Sequence, residues 1–353
     1  MDLLTIIGMI VIIYFLIYII LPWFWIVIYA LLYEKFGKPI SSLEGKIVWI
    51  TGASSGIGEN LAYILAKAGC KLILSSRKET KLEKVKTNCL QKNKNLKSSD
   101  IEVLVLDILD INKHELAFNT IIAKFGRLDI LVNNAGRSQR AKWENIELSV
   151  DKEMFDLNVF STIALSRLVA KYFFQVNKGH FVINSSIAGV TVVPFSATYC
   201  ASKYSLHAYF ESLSMEKINK NISVTIVCPG PVETNFLAES FTEKSGEKYI
   251  VNEKEKPTHR MTAKRCATLI GIAIANKLSI VWICKSIVLQ MVYLRIYYPN
   301  IGTWIIKQLG TKFLHYLRDN KRNIENNNNI FYIINIYNKI IINYYIDYIY
   351  VMK

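Results

Sequence analysis

The sequence is 353 residues long, is 52% hydrophobic and carries a formal net charge of +15 at pH 7. This length can bury one large α/β domain with extensions at both ends. The lysines are scattered, with no basic helix and no interleaving of basic and aromatic residues, so the charge predicts no nucleic-acid partner and fits an anionic membrane face better. Six cysteines without a Cys-x-x-Cys pair and five histidines without ligand spacing predict neither a disulfide framework nor a metal site.

The N-terminal part of the chain is a long apolar run, since residues 3–33 include no charged side chain. As a helix rising about 1.5 Å per residue, this run would reach roughly 46 Å, which exceeds a bilayer core of about 30 Å. We therefore predict a single-pass membrane anchor within residues 1–38. A cleaved signal peptide is the alternative. It is disfavoured because the run is too long and because Asp2 stands where a basic residue is expected.

Two observations bear on the side of the membrane that the rest of the chain would face. Lys35, Lys38 and Lys46 follow the apolar run, and basic residues next to an anchor favour the cytosolic side. Asn221-Ile-Ser223 is a glycosylation acceptor sequence, which would report lumenal exposure. The sequence leaves the orientation open.

Residues 45–320 alternate between short apolar runs and helical patterns, which predicts one doubly wound α/β domain with a parallel sheet of about seven strands. The strand runs are apolar on both faces, as expected of a parallel sheet covered by helices. The predicted strands are residues 47–50, 72–74, 103–106, 130–132, 181–183, 224–227 and 280–283. The predicted helices are residues 59–68, 78–91, 114–125, 152–175 and 199–217. Right-handed crossovers then place a binding crevice at the carboxyl ends of the strands.

A glycine-rich turn, Thr51-Gly-Ala-Ser-Ser-Gly-Ile-Gly58, joins the first predicted strand to the first helix. Glycines let the backbone turn sharply and approach a pyrophosphate, and the helix N-terminus offers free amides and a positive dipole end. The turn therefore predicts a dinucleotide site. Its candidate contacts are Gly52, Ser54, Ser55, Gly56, Ile57 and Gly58.

The residues after the second strand predict which dinucleotide is preferred. They read Ser75-Ser76-Arg77-Lys78, with no acidic residue to hold a ribose 2′-hydroxyl. A guanidinium can bind a 2′-phosphate through two hydrogen bonds, whereas a carboxylate at the same place would repel that phosphate. We expect NADP(H) to be preferred over NAD(H), with Arg77 as the main phosphate contact. The alternative is that Arg77 is a solvated side chain at a helix start.

Three residues form a candidate catalytic group for carbonyl reduction. Tyr199 and Lys203 lie four positions apart on one predicted helix, so they share a face, and Ser186 ends the fifth strand. A free phenol has a pKa of about 10, which a nearby ammonium would lower. Tyr199 is thus the expected acid/base, and Ser186 would hydrogen-bond the substrate oxygen.

Taken together, these residues resemble the short-chain dehydrogenase/reductase family over roughly residues 45–317. The remaining motifs of the family follow in order: Asp107, Asn133-Asn-Ala-Gly136, Asn158 and Pro229-Gly-Pro-Val-Glu-Thr234. The resemblance implies a Rossmann-type fold, an NAD(P)-dependent oxidoreductase acting on CH–OH groups, and a homodimer.

The same resemblance implies roles for these further residues. Asp107 would contact the adenine region, and Asn133, Ala135 and Gly136 would support the sheet and pack along the cofactor. Asn158 would hold a water molecule that relays protons to Lys203, although a buried structural amide is the alternative. Around the nicotinamide, the expected contacts are Tyr199, Lys203, Pro229, Gly230, Val232 and Thr234.

A narrower resemblance concerns membrane-bound reductases of this family in the endoplasmic reticulum, which are linked to retinoids and steroids. It is carried by the apolar N-terminus, Tyr199-Cys-Ala-Ser-Lys203, His259-Arg-Met-Thr-Ala-Lys-Arg-Cys266 and Ile280-Val-Trp-Ile283. It implies a small lipophilic ketone or aldehyde as substrate and a location in that membrane. The alternatives are a reductase of acyl or sphingoid lipid ketones, and a non-catalytic membrane scaffold that keeps the nucleotide fold.

The C-terminal part of the chain has two segments. Residues 267–309 are apolar but interrupted by Lys277, Lys285 and Arg295, so we interpret them as the wall of a substrate cleft that can rest on a membrane surface, with core packing as the alternative. Residues 324–353 consist almost entirely of Asn, Ile and Tyr. We interpret them as a low-complexity tail, with translation of non-coding sequence as one explanation.

Overall fold

The structure is a computed structural model that describes residues 2, 5–14, 32–250 and 260–308. Most of the predicted anchor and the whole tail at 324–353 lie outside the described residues. Helical residues are found at 5–14 and 32–36. No helix within the described part is both long and apolar enough to cross a membrane. The anchor, its membrane and the homodimer remain predictions.

Seven parallel strands form the central sheet, in the order β3-β2-β1-β4-β5-β6-β9. Their bounds are β1 Ile47–Thr51, β2 Lys71–Ser76, β3 Ile101–Val105, β4 Ile130–Asn133, β5 Gly179–Asn184, β6 Ile222–Pro229 and β9 Ile280–Ile283. Two short strands, β7 Val232–Glu233 and β8 Met261–Thr262, pair separately. The prediction of a doubly wound parallel sheet of about seven strands is confirmed.

Helices cover both faces of this sheet. They are α1 Gly56–Lys67, α2 Glu79–Lys92, α3 His114–Phe125, α4 Leu148–Phe155, α5 Ser161–Gln175, α6 Ala197–Glu216, α7 Ala263–Ala275 and α8 Ser286–Tyr297. Alternate side chains of each strand enter opposite layers. In β1, Val48 and Ile50 pack with α1, α2 and α7, whereas Ile47 and Trp49 pack in the layer of α3, α5, α6 and α8. Within the part of the chain that the structure describes, none of the six cysteines forms a disulfide.

Two element predictions need correction. The helix predicted over 152–175 begins at Leu148 and is interrupted by a π-helical turn, Asp156–Phe160. The third strand begins two residues earlier than predicted, at Ile101, because Leu72 of β2 pairs with Ile101. In both cases the deciding contacts come from distant parts of the chain, which local periodicity does not report.

The strand order places a crevice above the centre of the sheet. From β1 the chain proceeds outward to β2 and β3, then returns to β4 on the other side of β1. At such a switch point the loops that leave β1 and β4 diverge, and ligands of open α/β sheets bind between them at the carboxyl ends of the strands. The glycine-rich turn after β1 and the asparagine run after β4 both open into this crevice.

Candidate active site

The turn between β1 and α1 is held in a shape that only glycine permits at two positions. Gly52 and Gly56 have φ angles of +65° and +61°, in the left-handed region. A Cβ atom on Gly58 would lie 2.5 Å from the carbonyl oxygen of Gly52, so the first turn of α1 packs directly on the loop. Backbone amides at a helix N-terminus approached this closely can bind a phosphate.

An asparagine after β4 fixes the same loop. Asn134 donates hydrogen bonds from Nδ2 to the carbonyl oxygens of Thr51 and Gly52, at 2.9 and 3.1 Å. Thr51 Oγ1 in turn accepts from the backbone amides of Asn134 and Ala135, at 3.0 and 3.2 Å. The two loops of the crevice are therefore joined by four hydrogen bonds, which pre-organise the phosphate site.

A cleft of about 1150 Å³ opens in front of this loop. Of the predicted cofactor contacts, the following line it: Gly52, Ser54, Ser55, Gly56, Ile57, Arg77, Asp107, Ala135, Gly136 and Thr234. Its size suits a dinucleotide, and the glycine-lined floor leaves room that side chains would fill. The residues present therefore fit the predicted cofactor.

Three cations gather at the end of the cleft beneath β2. Arg77, Lys78 and Lys81 line it together, on the segment that leads from β2 into α2. Asp107, which follows β3, lines the same end and accepts a hydrogen bond on Oδ1 from the Leu109 amide at 3.1 Å. This end of the cleft carries the positive charge that a 2′-phosphate requires.

Tyr199 and Ser186 line a second, smaller cavity of about 230 Å³, which is walled mainly by apolar side chains. Tyr199 lies in the first turn of α6 and is 8% exposed. Ser186 Oγ accepts from the Ala188 amide at 3.1 Å and lies 3.3 Å from the Pro229 carbonyl oxygen. Thr234 and Phe236 line both cavities, so the two spaces meet beside Tyr199.

Lys203 lies one helical turn after Tyr199, beneath the two cavities. Its side chain is 4% exposed, and Nζ donates to the Asn184 carbonyl oxygen at 2.8 Å. Nζ also lies 5.9 Å from the centre of the Tyr199 ring. Burial lowers the pKa of this ammonium from its ordinary 10.5 to about 8. The charge of Lys203 is therefore costly to the fold and lies next to the phenol.

Asn158 lies in the π-helical turn and is buried. Its Oδ1 accepts from the Arg137 amide at 2.9 Å, and its Nδ2 donates to the Arg137 carbonyl oxygen at 3.0 Å and to Ser202 Oγ at 3.1 Å. These contacts tie the loop after β4 to α6. A π-turn disturbs the regular backbone ladder of its helix, which is a frequent feature of functional sites.

Five predicted site residues line neither the larger cleft nor the smaller cavity as described. Asn133 is buried and donates to Ser166 Oγ at 2.9 Å, so its contacts are those of sheet support. Gly58 acts by close packing, and Asn158 and Lys203 lie behind the wall. Pro229 presents its carbonyl oxygen to Ser186.

Sequence reasoning did not single out two residues that organise the site. Asn134 holds the phosphate loop, and Asn184 offers its carbonyl oxygen to Lys203. Asn184 Nδ2 also donates to Asn134 Oδ1 at 2.7 Å, which links the two. The sequence could have indicated both residues, because each asparagine stands at the carboxyl end of a predicted strand, which is where ligands bind in open α/β sheets.

Comparison with known proteins identifies the family. Residues 46–245 match the short chain dehydrogenase family. Dehydrogenase/reductase SDR family member 7 of Homo sapiens is 42% identical over 278 residues, which are 78% of this chain and 80% of the relative. The Mus musculus protein of that name is 39% identical over 80% of this chain and 83% of the relative. A Drosophila melanogaster protein, Dehydrogenase/reductase SDR family protein 7-like, is 32% identical over 77% and 82%.

Solved structures agree on the fold. A short chain dehydrogenase/reductase from Burkholderia phymatum in complex with NAD superposes with a TM-score of 0.65 at 22% identity, over 74% of this chain and 96% of that one. An alcohol dehydrogenase from the archaeon Thermococcus sibiricus, complexed with 5-hydroxy-NADP, gives 0.57 at 22% identity, over 69% and 96%. The family match, the relatives and the shared fold lead to one conclusion: the chain belongs to the short-chain dehydrogenase/reductase family and is an oxidoreductase.

Proposed function

We propose that this chain catalyses the NADP(H)-dependent interconversion of a lipophilic ketone or aldehyde and its alcohol, with Tyr199 as the general acid/base. The observation that carries the proposal is the joint exposure of Tyr199 and Ser186 to an apolar cavity that meets the dinucleotide-sized cleft at Thr234. A carbonyl group in that cavity would lie between the two hydroxyl groups and next to the cleft.

Each polar side chain then has a distinct task in the reduction. When bound, the nicotinamide supplies the hydride for the carbonyl carbon. The Ser186 hydroxyl, which donates to the Pro229 carbonyl oxygen in the structure, rotates to donate a hydrogen bond to the substrate carbonyl oxygen and stabilises the negative charge that develops there. Tyr199 donates the proton that completes the alcohol. The Lys203 ammonium favours the resulting phenolate through its positive charge.

The preference for NADP(H) is supported by Arg77, Lys78 and Lys81 at the β2 end of the cleft. We expect Arg77→Ala to raise the KM for NADPH by about ten- to a hundredfold, because two charge-assisted hydrogen bonds are lost. The KM for NADH, which has no 2′-phosphate, should change less than about twofold. Steady-state kinetics with both cofactors measure the difference.

Lys84→Ala is the matched control for this cofactor test. Lys84 lies on α2, is exposed and does not line the cleft. It should leave both KM values unchanged. An Arg77→Ala enzyme that loses affinity for NADPH and NADH to the same degree would contradict the assignment of Arg77 to the phosphate.

The substrate class is supported by the cavity wall, which includes Val193, Val232, Phe236, Val288 and Met291. We expect full-length protein in membranes to oxidise NADPH with all-trans-retinal or a steroid ketone at a kcat/KM at least about tenfold above that for a small polar ketone, because burial of apolar surface contributes binding energy. Efficient turnover of polar carbonyl compounds alone would refute the lipophilic substrate. Turnover of keto-acyl or sphingoid ketones alone would select the lipid-ketone alternative.

A further inference from the structure

In the part that the structure describes, the wall of the smaller cavity combines apolar side chains with basic ones. Three arginines line it, Arg140 from the loop after β4, Arg260 from the segment before β8, and Arg295 from α8. Among the described residues of the wall there is no aspartate or glutamate. A cation in such a wall loses hydration when ligand fills the space, a cost that an anionic ligand would offset.

Arg295 is the cation of this set with the simplest surroundings. Its Nη1 donates to Thr303 Oγ1 at 2.6 Å and to the Pro299 carbonyl oxygen at 3.3 Å. Both acceptors are neutral, and no ion pair involves Arg295 among residues 2, 5–14, 32–250 and 260–308. Both hydrogen bonds use Nη1 and thereby orient the guanidinium. Because their acceptors are neutral, they do not neutralise its positive charge.

Arg140, which comes from a different segment of the chain, lines the same cavity. Its Nη1 donates to the Gln139 carbonyl oxygen at 2.7 Å and to Ser138 Oγ at 3.2 Å. Ser138 itself lines the cavity. Basic and hydroxyl side chains thus share the wall of this cavity with apolar ones, which is an arrangement suited to a ligand with an anionic end.

We propose that the substrate is an amphipathic anion, an aliphatic carbonyl compound that carries a carboxylate, and that Arg295 binds this carboxylate. The inference rests on the proposed function, because it places the carbonyl group at Tyr199 and Ser186. The apolar wall then covers the hydrocarbon between the two ends. A carboxylate matches the planar guanidinium with two parallel hydrogen bonds, which a neutral alcohol or ester cannot reproduce.

A binding measurement tests the anion site without any need for turnover. Full-length protein saturated with NADP⁺ is titrated with decanoate and with decanol, and binding is followed by calorimetry. We expect decanoate to bind about ten- to a hundredfold more tightly, because charge-assisted hydrogen bonds are lost in the alcohol. Arg295→Gln should remove this preference, and Arg295→Lys should keep part of it, since it retains the charge.

Lys307→Gln provides the control for net charge. Lys307 is exposed on the helical residues 299–308, next to Ile306, but does not line the cavity. It should leave the preference for decanoate unchanged. Equal binding of decanoate and decanol by the wild-type protein, or equal loss in Lys307→Gln and Arg295→Gln, would overturn the proposal. If Arg295 had only a structural role, Arg295→Gln would lower the affinities for decanoate and for decanol by the same factor.

A turnover measurement then separates this inference from the proposed function. The substrates are ω-oxodecanoic acid and its methyl ester, which share one aldehyde and differ in one charge. We expect the acid to have the lower KM, with the difference lost in Arg295→Gln. If the acid and the ester are reduced with equal KM, the carboxylate site is wrong and carbonyl reduction stands. If decanoate binds preferentially but neither aldehyde is reduced, the anion site stands and the proposed function fails.

Discussion

Replacement of Tyr199 by phenylalanine is expected to lower kcat/KM for carbonyl reduction by about 10²- to 10⁴-fold, the usual contribution of a positioned general acid. The substitution removes one hydroxyl group and keeps the ring, which packs edge-to-face on Phe236 at 6.4 Å between centres. The stability of the fold should therefore change little. NADPH affinity should stay within about twofold, because the phosphate loop is untouched.

Tyr204→Phe is the matched control for the loss of a phenol. Tyr204 lies on the same helix α6 but is 42% exposed and lines neither cavity. It should retain full activity in the NADPH assay with retinal. If Tyr199→Phe kept wild-type turnover, the chemistry would have to be assigned elsewhere, and the scaffold alternative would regain support.

The dinucleotide cleft is the part of the site that the sequence predicts best. Strand β1, the glycine turn and α1 follow each other within residues 47–67, so local rules for glycine and for helix N-termini suffice. The lining position of Arg77 follows in the same way from its place after β2. In each case the residues that form the feature are close in sequence, although the hydrogen bonds from Asn134 that fix the turn span 82 and 83 positions.

The residues around Tyr199 depend on contacts between distant parts of the chain, which local sequence patterns do not predict. Asn158 sits inside a run with continuous helical periodicity, yet its amide contacts Arg137 and Ser202, which are 21 and 44 positions away. Periodicity therefore predicted one unbroken helix and missed the π-turn. Likewise, Asn133 and Asn134 are adjacent identical residues. Successive side chains point to opposite faces of a strand, so the register of β4 decides which of the two faces the loop.

The arginines of the smaller cavity were beyond sequence reasoning for a related reason. Arg140, Arg260 and Arg295 belong to three segments that are far apart along the chain. In the sequence Arg295 interrupts an apolar stretch and marks it as unsuited to span a bilayer. In the fold the same charge enters the wall of a cavity, and this changes the expected substrate from a plain lipophile to an amphipathic anion.

Lys203→Met is the second substitution with a large expected effect, and it should separate activity from stability. Loss of the ammonium removes the charge that favours the Tyr199 phenolate, so kcat/KM should fall by at least about a hundredfold. Without cofactor, however, the wild-type fold must hold a buried cation whose pKa is lowered to about 8. Methionine of similar length removes that cost.

The sign of the effect on stability follows from proton binding. Between pH 8 and 10.5 the unfolded chain holds a proton on Lys203 that the folded chain has released, so wild-type stability rises with pH in this window. The cost of the buried charge is complete below the folded pKa and disappears as pH approaches the unfolded value. Because one pKa unit corresponds to roughly 1.4 kcal/mol, the gap between 10.5 and about 8 corresponds to about 3 kcal/mol.

Urea unfolding of the cofactor-free protein at steps from pH 7 to pH 10.5 measures this difference. The stability of Lys203→Met relative to wild type should fall by about 3 kcal/mol across the window. Lys84→Met, which replaces an exposed lysine on α2, should show no such slope. A flat difference for Lys203→Met would mean that the buried ammonium costs the fold no more than the exposed one, which would contradict the lowered pKa of Lys203.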